Sequence, residues 1–340
     1  MLRKYSVLLL FFLLFTFKPS DALLAQKFYS DNGDGTYTNP LIPADFPDPD
    51  VILVGDTYYM VSTTMFVFPG VTVLKSYDLV NWEYCSNAVP RFDFSPCYDL
   101  NGCNRYGHGQ WATSIRYHEG TFYLLFITLD EGGFLCSSNK AEGPWEITRL
   151  PRGFYDPGLF FDDDGKIYMI WGVGRLMMAE LREDLSGVIA GTERVLIENA
   201  SEPAGDNIML PAEGAQLFEA KGKYYLFNIT WPRGGMRTVI IHRADKITGP
   251  WESRLALQDR GIAQGGLIDT PTGDWYAYLF RDYGSVGRIP YLVPVTWEDG
   301  WPVLDVEDKV PDTVEELPAN EGLIPGIVAS DEFKRKKRKP

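Results

Sequence analysis

Gly222-Lys223-Tyr224-Tyr225-Leu226-Phe227 carries the pattern that decides the fold: a glycine, a tyrosine three residues later, and an apolar run. Glycine permits a tight turn and tyrosine fits a pleated surface, so the pattern predicts the turn and second strand of a β-hairpin. The same offset recurs along the chain. The five copies are Gly55/Tyr58, Gly120/Tyr123, Gly165/Tyr168, Gly222/Tyr225 and Gly273/Tyr276.

The spacing of these hairpins indicates a repeated unit. Their tyrosines are separated by 65, 45, 57 and 51 residues, and a period of roughly 40 to 60 residues with several strands per unit is typical of a β-propeller. We therefore predict an all-β fold, a five-bladed β-propeller over residues 27–325. The alternative is a β-sandwich, since glycine followed by an aromatic residue marks hairpins in general. A sandwich does not require one offset at blade-length intervals.

A second repeated element predicts the outer strands of three blades. Each copy ends in Trp-Glu and follows a hairpin by a similar distance. The copies are Leu79-Val80-Asn81-Trp82-Glu83, Gly143-Pro144-Trp145-Glu146 and Gly249-Pro250-Trp251-Glu252.

Composition limits the partners of the protein. The chain has 340 residues, 45% of them hydrophobic, and a formal net charge of −14. Such a chain forms one large globular domain or two ordinary ones. Because an acidic surface repels nucleic acid and anionic lipid, we expect a neutral or small partner, with no nucleic acid and no membrane insertion.

The first 25 residues have the pattern of a signal peptide. Arg3 and Lys4 precede an apolar run over residues 7–17, and Ser20-Asp21-Ala22 fits a cleavage site. The alternative, a transmembrane anchor, requires a longer apolar run, about 20 residues. We predict a cleaved signal peptide at 1–25 and a secreted or periplasmic protein.

The four cysteines are compatible with disulfides in an exported chain. They allow three pairings, of which Cys97 with Cys103 is favoured because these two bracket a short loop; the other cysteines are Cys85 and Cys136. With no Cys-x-x-Cys spacing and three histidines, the sequence predicts no structural zinc site.

Counting back from the hairpin tyrosines locates the strand that lines the axis of a propeller. Equivalent positions in successive blades point at one axis, so residues at one offset should meet at one end of the channel. These residues are Trp111, Asp156, Glu213 and Gln264, each twelve residues before its tyrosine, and Asp48, ten residues before Tyr58.

Three acids at one channel mouth suit the cleavage of glycosidic bonds. One protonated carboxyl donates to the leaving oxygen while an ionised one activates water or attacks the anomeric carbon, and crowding raises the pKa of the donor. Taken singly, Asp48 and Asp156 precede proline and also fit ordinary Asx turns. Glu213 lies inside an apolar strand, where burying an acid is costly without a purpose.

At these residues the chain resembles glycoside hydrolase family 43, from Asn39 to Leu304. The motifs that carry the resemblance are Phe46-Pro47-Asp48-Pro49-Asp50, Gly109-Gln110-Trp111-Ala112-Thr113-Ser114, Tyr155-Asp156-Pro157-Gly158, Ala212-Glu213-Gly214 and Gln264-Gly265-Gly266. The resemblance implies a five-bladed propeller that inverts configuration. It also implies that Asp48 is the general base, Glu213 the general acid and Asp156 the modulator of the acid's pKa.

The same resemblance suggests the substrate-binding residues and the substrate. Arg288 resembles the arginine that reaches the innermost sugar, and Trp111 and Gln264 are expected beside that sugar. Two further segments, 59–65 and 76–83, are similar to exo-acting β-xylosidases and α-L-arabinofuranosidases. We therefore expect release of xylose or arabinose from plant cell-wall oligosaccharides such as arabinoxylan. The alternatives are a carbohydrate-binding or catalytically weakened propeller, and a protein-interaction propeller, whose blade signatures the sequence lacks.

Three features depart from that family. Ala263 stands where relatives carry a histidine near a channel metal, which argues against a central calcium, and we expect that no cofactor is required. Phe66 replaces another histidine, so the pocket wall at this substrate-binding position should be apolar. The basic segment 326–340 resembles the start of a C-terminal β-sandwich and then ends as a tail.

Overall fold

The computed structural model describes residues 30–66, 68–316 and 318. The predicted signal peptide at 1–25 and the basic tail at 326–340 lie outside the described residues. Within the described part of the chain, none of the helices has the length and apolarity that crossing a membrane demands.

Most of the described chain folds into five antiparallel sheets of four strands, and in each sheet the strands follow in chain order. This arrangement confirms the predicted all-β, five-bladed propeller. A short strand, β1 (Tyr37–Thr38), precedes the blades. The blades comprise β2 (Asp50–Val54), β3 (Thr57–Ser62), β4 (Gly70–Ser76) and β5 (Glu83–Val89); β6 (Ser114–His118), β7 (Thr121–Thr128), β8 (Gly132–Ser138) and β9 (Glu146–Arg149); β10 (Gly158–Phe161), β11 (Ile167–Val173), β12 (Arg175–Leu181) and β13 (Arg194–Ile197); β14 (Ile208–Ala220), β15 (Lys223–Pro232), β16 (Thr238–Ala244) and β17 (Glu252–Leu257); and β18 (Ile262–Asp269), β19 (Trp275–Asp282), β20 (Arg288–Glu298) and β21 (Trp301–Val303).

The ring closes through its first strands and its two ends. Each first strand contacts the first strand of the next blade, and β18 contacts β2. Strand β1 pairs with β22 (Thr313–Val314), and the backbone N–H of Phe46 donates to the carbonyl of Arg288 at 2.9 Å. The segment leading into the first blade is thereby tied to the last blade. In the described part of the chain, three short 3₁₀ helices lie at Pro96–Asp99, Glu202–Ala204 and Gly284–Val286.

The five hairpins that predicted the fold lie where the pattern places them. Each glycine falls between the first and second strand of its blade, and each tyrosine lies on the second strand. Four of the tyrosines are buried, which explains their repetition, because a large ring fills the space between neighbouring sheets. The tryptophans of the second repeat, Trp82, Trp145 and Trp251, directly precede β5, β9 and β17, as predicted.

Candidate active site

The predicted site residues lie at one level of the propeller. We measure this level from the first-strand residue that pairs with each hairpin tyrosine. Asp48, Trp111 and Glu213 come five residues before that partner, whereas Asp156 and Gln264 come four residues before it. The structure therefore brings all five toward the same end of the ring, where the first strands begin and the second strands end.

The different offsets in the sequence have a local cause. The turn between β2 and β3 has two residues, because Val54 pairs with Thr57. In the third blade Phe161 pairs with Ile167, so the turn is longer. In the fourth blade the turn again has two residues, because Ala220 pairs with Lys223, but Tyr225 and its partner Phe218 each lie one position further from the turn than Tyr58 and Leu53 do. These differences near the turns account for an offset of twelve instead of ten.

The backbone at the site departs from regular strand geometry. Asp48, Asp156 and Gln264 have φ angles of 52°, 46° and 49°, in the left-handed region. Left-handed backbone costs on the order of 1–3 kcal/mol per residue outside glycine and persists where the surroundings enforce it. Gln264 also lies at a register shift in β18, and such bulges redirect a side chain. The orientation of these side chains therefore comes at a cost in folding stability.

Asp156, like Asp48, is buried, whereas Glu213 is partly exposed. Burial raises the pKa of Asp156 well above the usual range, and the nearby charges of Glu213 and Asp48 raise it further. Opposing this, the backbone N–H of Gly214 donates to its Oδ2 at 3.1 Å. Since Gly214 directly follows Glu213, this hydrogen bond fixes the two acids beside each other.

Glu213 also has a raised pKa. Burial is the main cause and the charge of Asp48 the second, while Arg237 and the hydroxyl of Tyr155 lower it. Like charges that share a site resist joint ionisation, so the Asp156–Glu213 pair retains a proton at higher pH than isolated carboxyls. Glu213 is the more exposed of the two, and can pass that proton to a ligand.

Asp48 has a different environment, in which an arginine is its partner. Nη1 of Arg288 donates to Oδ1 of Asp48 at 2.7 Å, and the side chain of Asp48 is 4% exposed. Nε of Arg288 lies 3.4 Å from Asp282, and its backbone N–H donates to Asp45 at 2.7 Å. Hydrogen bonds between charged partners are shorter and stronger than neutral ones, so this contact holds the carboxyl group of Asp48 in a fixed position. Two carboxyl groups in different environments, one paired with an arginine and one with a raised pKa, are what acid–base cleavage requires.

Trp111 and Gln264 flank these acids. Gln110, fully buried, accepts from the backbone of Thr64 at 2.8 Å and donates to the carbonyl of Trp111 at 2.8 Å. This clamp holds the loop of Trp111 against the end of the first blade. On the other side, a Cβ at Gly214 would lie 2.8 Å from the amide of Gln264. Glycine at 214 therefore makes room for the Gln264 side chain next to Glu213.

Phe66 lies further out. Its side chain is 49% exposed, and its ring centroid is 5.1 Å from that of Tyr106. Phe66 therefore belongs to an exposed aromatic pair.

The sequence reasoning did not identify Tyr155, Arg237 or Asp282. Tyr155 contacts Glu213 through its hydroxyl, and Arg237 donates from Nε to Asp282 at 2.5 Å. A signal for Arg237 exists in the sequence. Arg237 follows Tyr225 by twelve residues, as Arg288 follows Tyr276, so the hairpin offset also finds these two arginines when it is counted forward.

Below the acids, a hydrogen-bonded network crosses the channel. Asp50, fully buried, accepts from Arg116 at 2.7 Å and from the hydroxyl of Tyr278 at 2.9 Å. Nη2 of Arg116 donates at 3.2 Å to Gln216. Because Arg116 and Gln216 belong to blades two and four, which are not neighbours, this contact spans the central channel.

The residues in and around this network determine whether a calcium ion can bind in the channel. Ala263 is fully buried, and its side chain offers no ligand atom. The carboxylate of Asp50 is occupied by Arg116, whose fixed positive charge repels a divalent cation. Among the described residues, no three His, Cys, Asp or Glu side chains form a group of metal ligands. The residues of this channel do not fit a calcium site.

Comparison with known proteins places the chain among carbohydrate-active proteins. Residues 37–302 match the family described as Glycosyl hydrolases family 43. The chain is 32% identical to a β-xylosidase from Formosa agariphila, covering 82% of this chain and 52% of that protein. It is 29% identical to a non-reducing end α-L-arabinofuranosidase from Bacteroides ovatus, covering 85% of this chain and 56% of that one.

A solved structure agrees with these matches. A bifunctional GH43-CE protein from Bacteroides eggerthii has 60% sequence identity and a TM-score of 0.82, covering 89% of this chain and 39% of that one. The chain spans about half the length of the curated relatives it matches.

Proposed function

Because the chain belongs to glycosyl hydrolases family 43, we propose that it is an inverting, exo-acting glycoside hydrolase. Its proposed substrates are plant cell-wall oligosaccharides such as arabinoxylan, from which it releases xylose or arabinose. Relatives named as a β-xylosidase and an α-L-arabinofuranosidase support this substrate class. The observation that carries the proposal is the contrast between Asp48, paired with an arginine, and Glu213, whose pKa is raised.

In the proposed reaction, Glu213 is the general acid. It donates its proton to the glycosidic oxygen as the bond from that oxygen to the anomeric carbon breaks. Asp48 is the general base and takes a proton from a water molecule, whose oxygen bonds to the anomeric carbon from the opposite face. The configuration at that carbon is therefore inverted. Arg288 holds the carboxyl group of Asp48 in position through its hydrogen bond and contacts the innermost sugar.

Asp156 is proposed to keep the acid protonated. Its carboxyl and that of Glu213 share a buried site, so one proton belongs to the pair. Because Glu213 is the more exposed member, it is the one that reaches the leaving oxygen. Trp111 and Gln264 are proposed to position the innermost sugar, with Phe66 further out.

We propose that the enzyme needs no metal ion or other cofactor. The Asp50–Arg116 ion pair in the channel supports this, since it supplies a positive charge where relatives are expected to place calcium. The predicted signal peptide supports a secreted or periplasmic location, where such oligosaccharides are found.

The test separates the two catalytic roles by leaving group. Glu213→Gln should reduce kcat on oligosaccharides by roughly 10²–10⁴-fold. On nitrophenyl pentosides, whose leaving group needs no proton, the reduction should stay within about tenfold. Asp48→Asn should abolish turnover on both. Glu219→Gln, at an exposed position of the same strand, is the matched control and should retain activity.

Product analysis completes the test. NMR of the first product should show the anomeric configuration opposite to that of the substrate. Retention of configuration, or equal losses for Glu213→Gln on both kinds of leaving group, would contradict the assigned roles. A wild-type protein that binds oligosaccharides without releasing sugar would support a carbohydrate-binding propeller instead.

A further inference from the structure

Two aromatic side chains form an exposed pair outside the catalytic cluster. Phe66 is 49% exposed and Tyr106 is 72% exposed. Their ring centroids lie 5.1 Å apart and the ring planes are inclined by 37°. Exposed single apolar residues are common, but adjacent large rings in water often mark a binding surface.

The pair lies at the same end of the propeller as the three acids. The backbone N–H of Thr63 donates to the carbonyl of Pro47, the residue before Asp48, at 3.1 Å. Two residues later, the carbonyl of Met65 accepts from the backbone N–H of Gly109 at 3.0 Å. Phe66 therefore extends from a loop that is held between the segments carrying Asp48 and Trp111.

The segment that carries the other ring is held on both sides by contacts to acidic side chains. Nε of Arg105 lies 3.2 Å from Glu131, and Nδ1 of His108 lies 2.8 Å from Asp130. Tyr106 lies between these two anchors. They fix the segment before any ligand arrives, and such preorganisation reduces the entropy lost on binding.

A disulfide and a glycine bring the loops together. The disulfide Cys97–Cys103 closes the loop just before Tyr106, as the sequence favoured. Gly107 has a φ of 75°, and a Cβ at this position would lie 3.3 Å from Cε1 of Phe66. Glycine at 107 thus permits the close approach of the two loops.

We propose that Phe66 and Tyr106 form a platform for the sugar ring on the leaving-group side of the bond that is cleaved. The proposal rests on the proposed function. The innermost sugar must lie between Asp48 and Glu213, so the rest of an oligosaccharide leaves the pocket across the rim. A neutral sugar ring presents an apolar C–H face, which fits an uncharged aromatic surface.

Alternative ligands fit this surface less well. The basic side chains beside it, Arg105 and His108, already contact carboxylates, so neither is available to an anionic ligand. The rings are uncharged, and the flanking acids Asp130 and Glu131 disfavour anions further. A neutral carbohydrate is the ligand that these surroundings favour.

The experiment compares a trisaccharide with a single sugar. The probe is xylotriose, or arabinotriose if arabinosides are the better substrates. Phe66→Ala combined with Tyr106→Ala should raise KM for the trisaccharide about tenfold, the upper range for lost aromatic contacts, with kcat unchanged. The inhibition constant of the free pentose should stay the same, because that sugar occupies the inner pocket. Tyr106→Phe should retain the wild-type KM.

The matched control is Tyr117→Ala. Tyr117 is 42% exposed and its ring lies 4.7 Å from that of Phe122, at the opposite end of the strands. It should change none of these values. An unchanged KM for the trisaccharide in the double variant would overturn the platform, and so would an equal change in the inhibition constant of the free pentose.

A binding measurement keeps this proposal separate from the proposed function. Calorimetric titration of the trisaccharide into Glu213→Gln, with and without the two alanine substitutions, measures the platform without turnover. If wild type hydrolyses no pentoside but the alanine substitutions still weaken binding about tenfold, the aromatic pair is supported only as a carbohydrate-binding surface, and the proposed function is wrong. If wild type hydrolyses the trisaccharide and the substitutions leave binding unchanged, only the platform is wrong.

Discussion

Asp48 and Asp50 lie two residues apart at the entrance of the first blade, and the fold uses them for different purposes. Both are almost completely buried. Asp50 is the first residue of β2, whereas Asp48 precedes the strand in a left-handed conformation, with φ of 52°. That single backbone deviation points one carboxylate at the channel mouth and leaves the other in the channel.

The two carboxylates differ in how completely their oxygens are hydrogen-bonded. Asp50 accepts from groups in blades two and five. The donors are the hydroxyl of Ser114 at 3.2 Å, the backbone of Ile115 at 2.9 Å, Arg116 at 2.7 Å and Tyr278 at 2.9 Å. Asp48 accepts from Arg288 through Oδ1, and it lies near two other acids, Asp156 and Glu213. A saturated carboxylate stabilises structure, whereas one with spare acceptor capacity is available for chemistry.

The largest expected effect tests this contrast through stability. Asp50→Asn should lower the free energy of unfolding by about 3–5 kcal/mol, because it leaves the buried charge of Arg116 without a carboxylate partner. Asp48→Asn should lower it by less than about 1 kcal/mol, since the side chain of Arg288 is 24% exposed and retains Asp282. Denaturant unfolding of both variants provides the comparison. Equal losses would mean that the two carboxylates have the same structural role.

The sequence predicts only part of this contrast. The hairpin offset located Asp48, Asp156 and Glu213, because a repeat fixes where equivalent residues lie. The offset did not show that Asp50, unlike Asp48, has a structural role. Both belong to one motif, and the partners of Asp50 are more than 60 residues away in sequence. Contacts across blades depend on how sheets pack around the axis, which no local pattern encodes.

The bulges show the same limit. The irregular register around Glu213 in β14 and at Gln264 in β18 carries no sequence signature beyond the nearby glycines. Yet these bulges set where the side chains point. The position of the site along the propeller axis was therefore predictable, whereas the directions of its side chains were not.

A second prediction concerns Asp156, which destabilises the fold by its charge. Its folded-state pKa is raised, so the native state holds the proton more tightly than the unfolded state does. The resulting penalty is absent below the ordinary pKa of aspartate and grows as the pH rises above it. Asp156→Asn should therefore raise the free energy of unfolding by about 1 kcal/mol at neutral pH.

The pH dependence distinguishes this explanation from improved packing. The advantage of Asp156→Asn over wild type should shrink as the pH falls and vanish below about pH 4. Thermal unfolding at several pH values measures it. The amide can still accept from the backbone of Gly214, so that hydrogen bond serves as the internal control. An advantage independent of pH would contradict the electrostatic origin, and a loss of stability at neutral pH would show that the ionised carboxylate is favourable.

The smallest expected effect is that of a chelator. Because the guanidinium of Arg116 supplies the positive charge in the channel, removal of divalent cations with EDTA should leave both the melting temperature and the rate of pentoside hydrolysis unchanged. Arg116→Met serves as the comparison: it frees the carboxylate of Asp50, so added calcium should restore part of the lost stability in that variant and none in wild type. Loss of wild-type activity in EDTA, recovered with calcium, would show that an ion binds in the channel despite Arg116. The channel would then contribute to catalysis, as Asp48 is proposed to do, and not to stability alone, as Asp50 does.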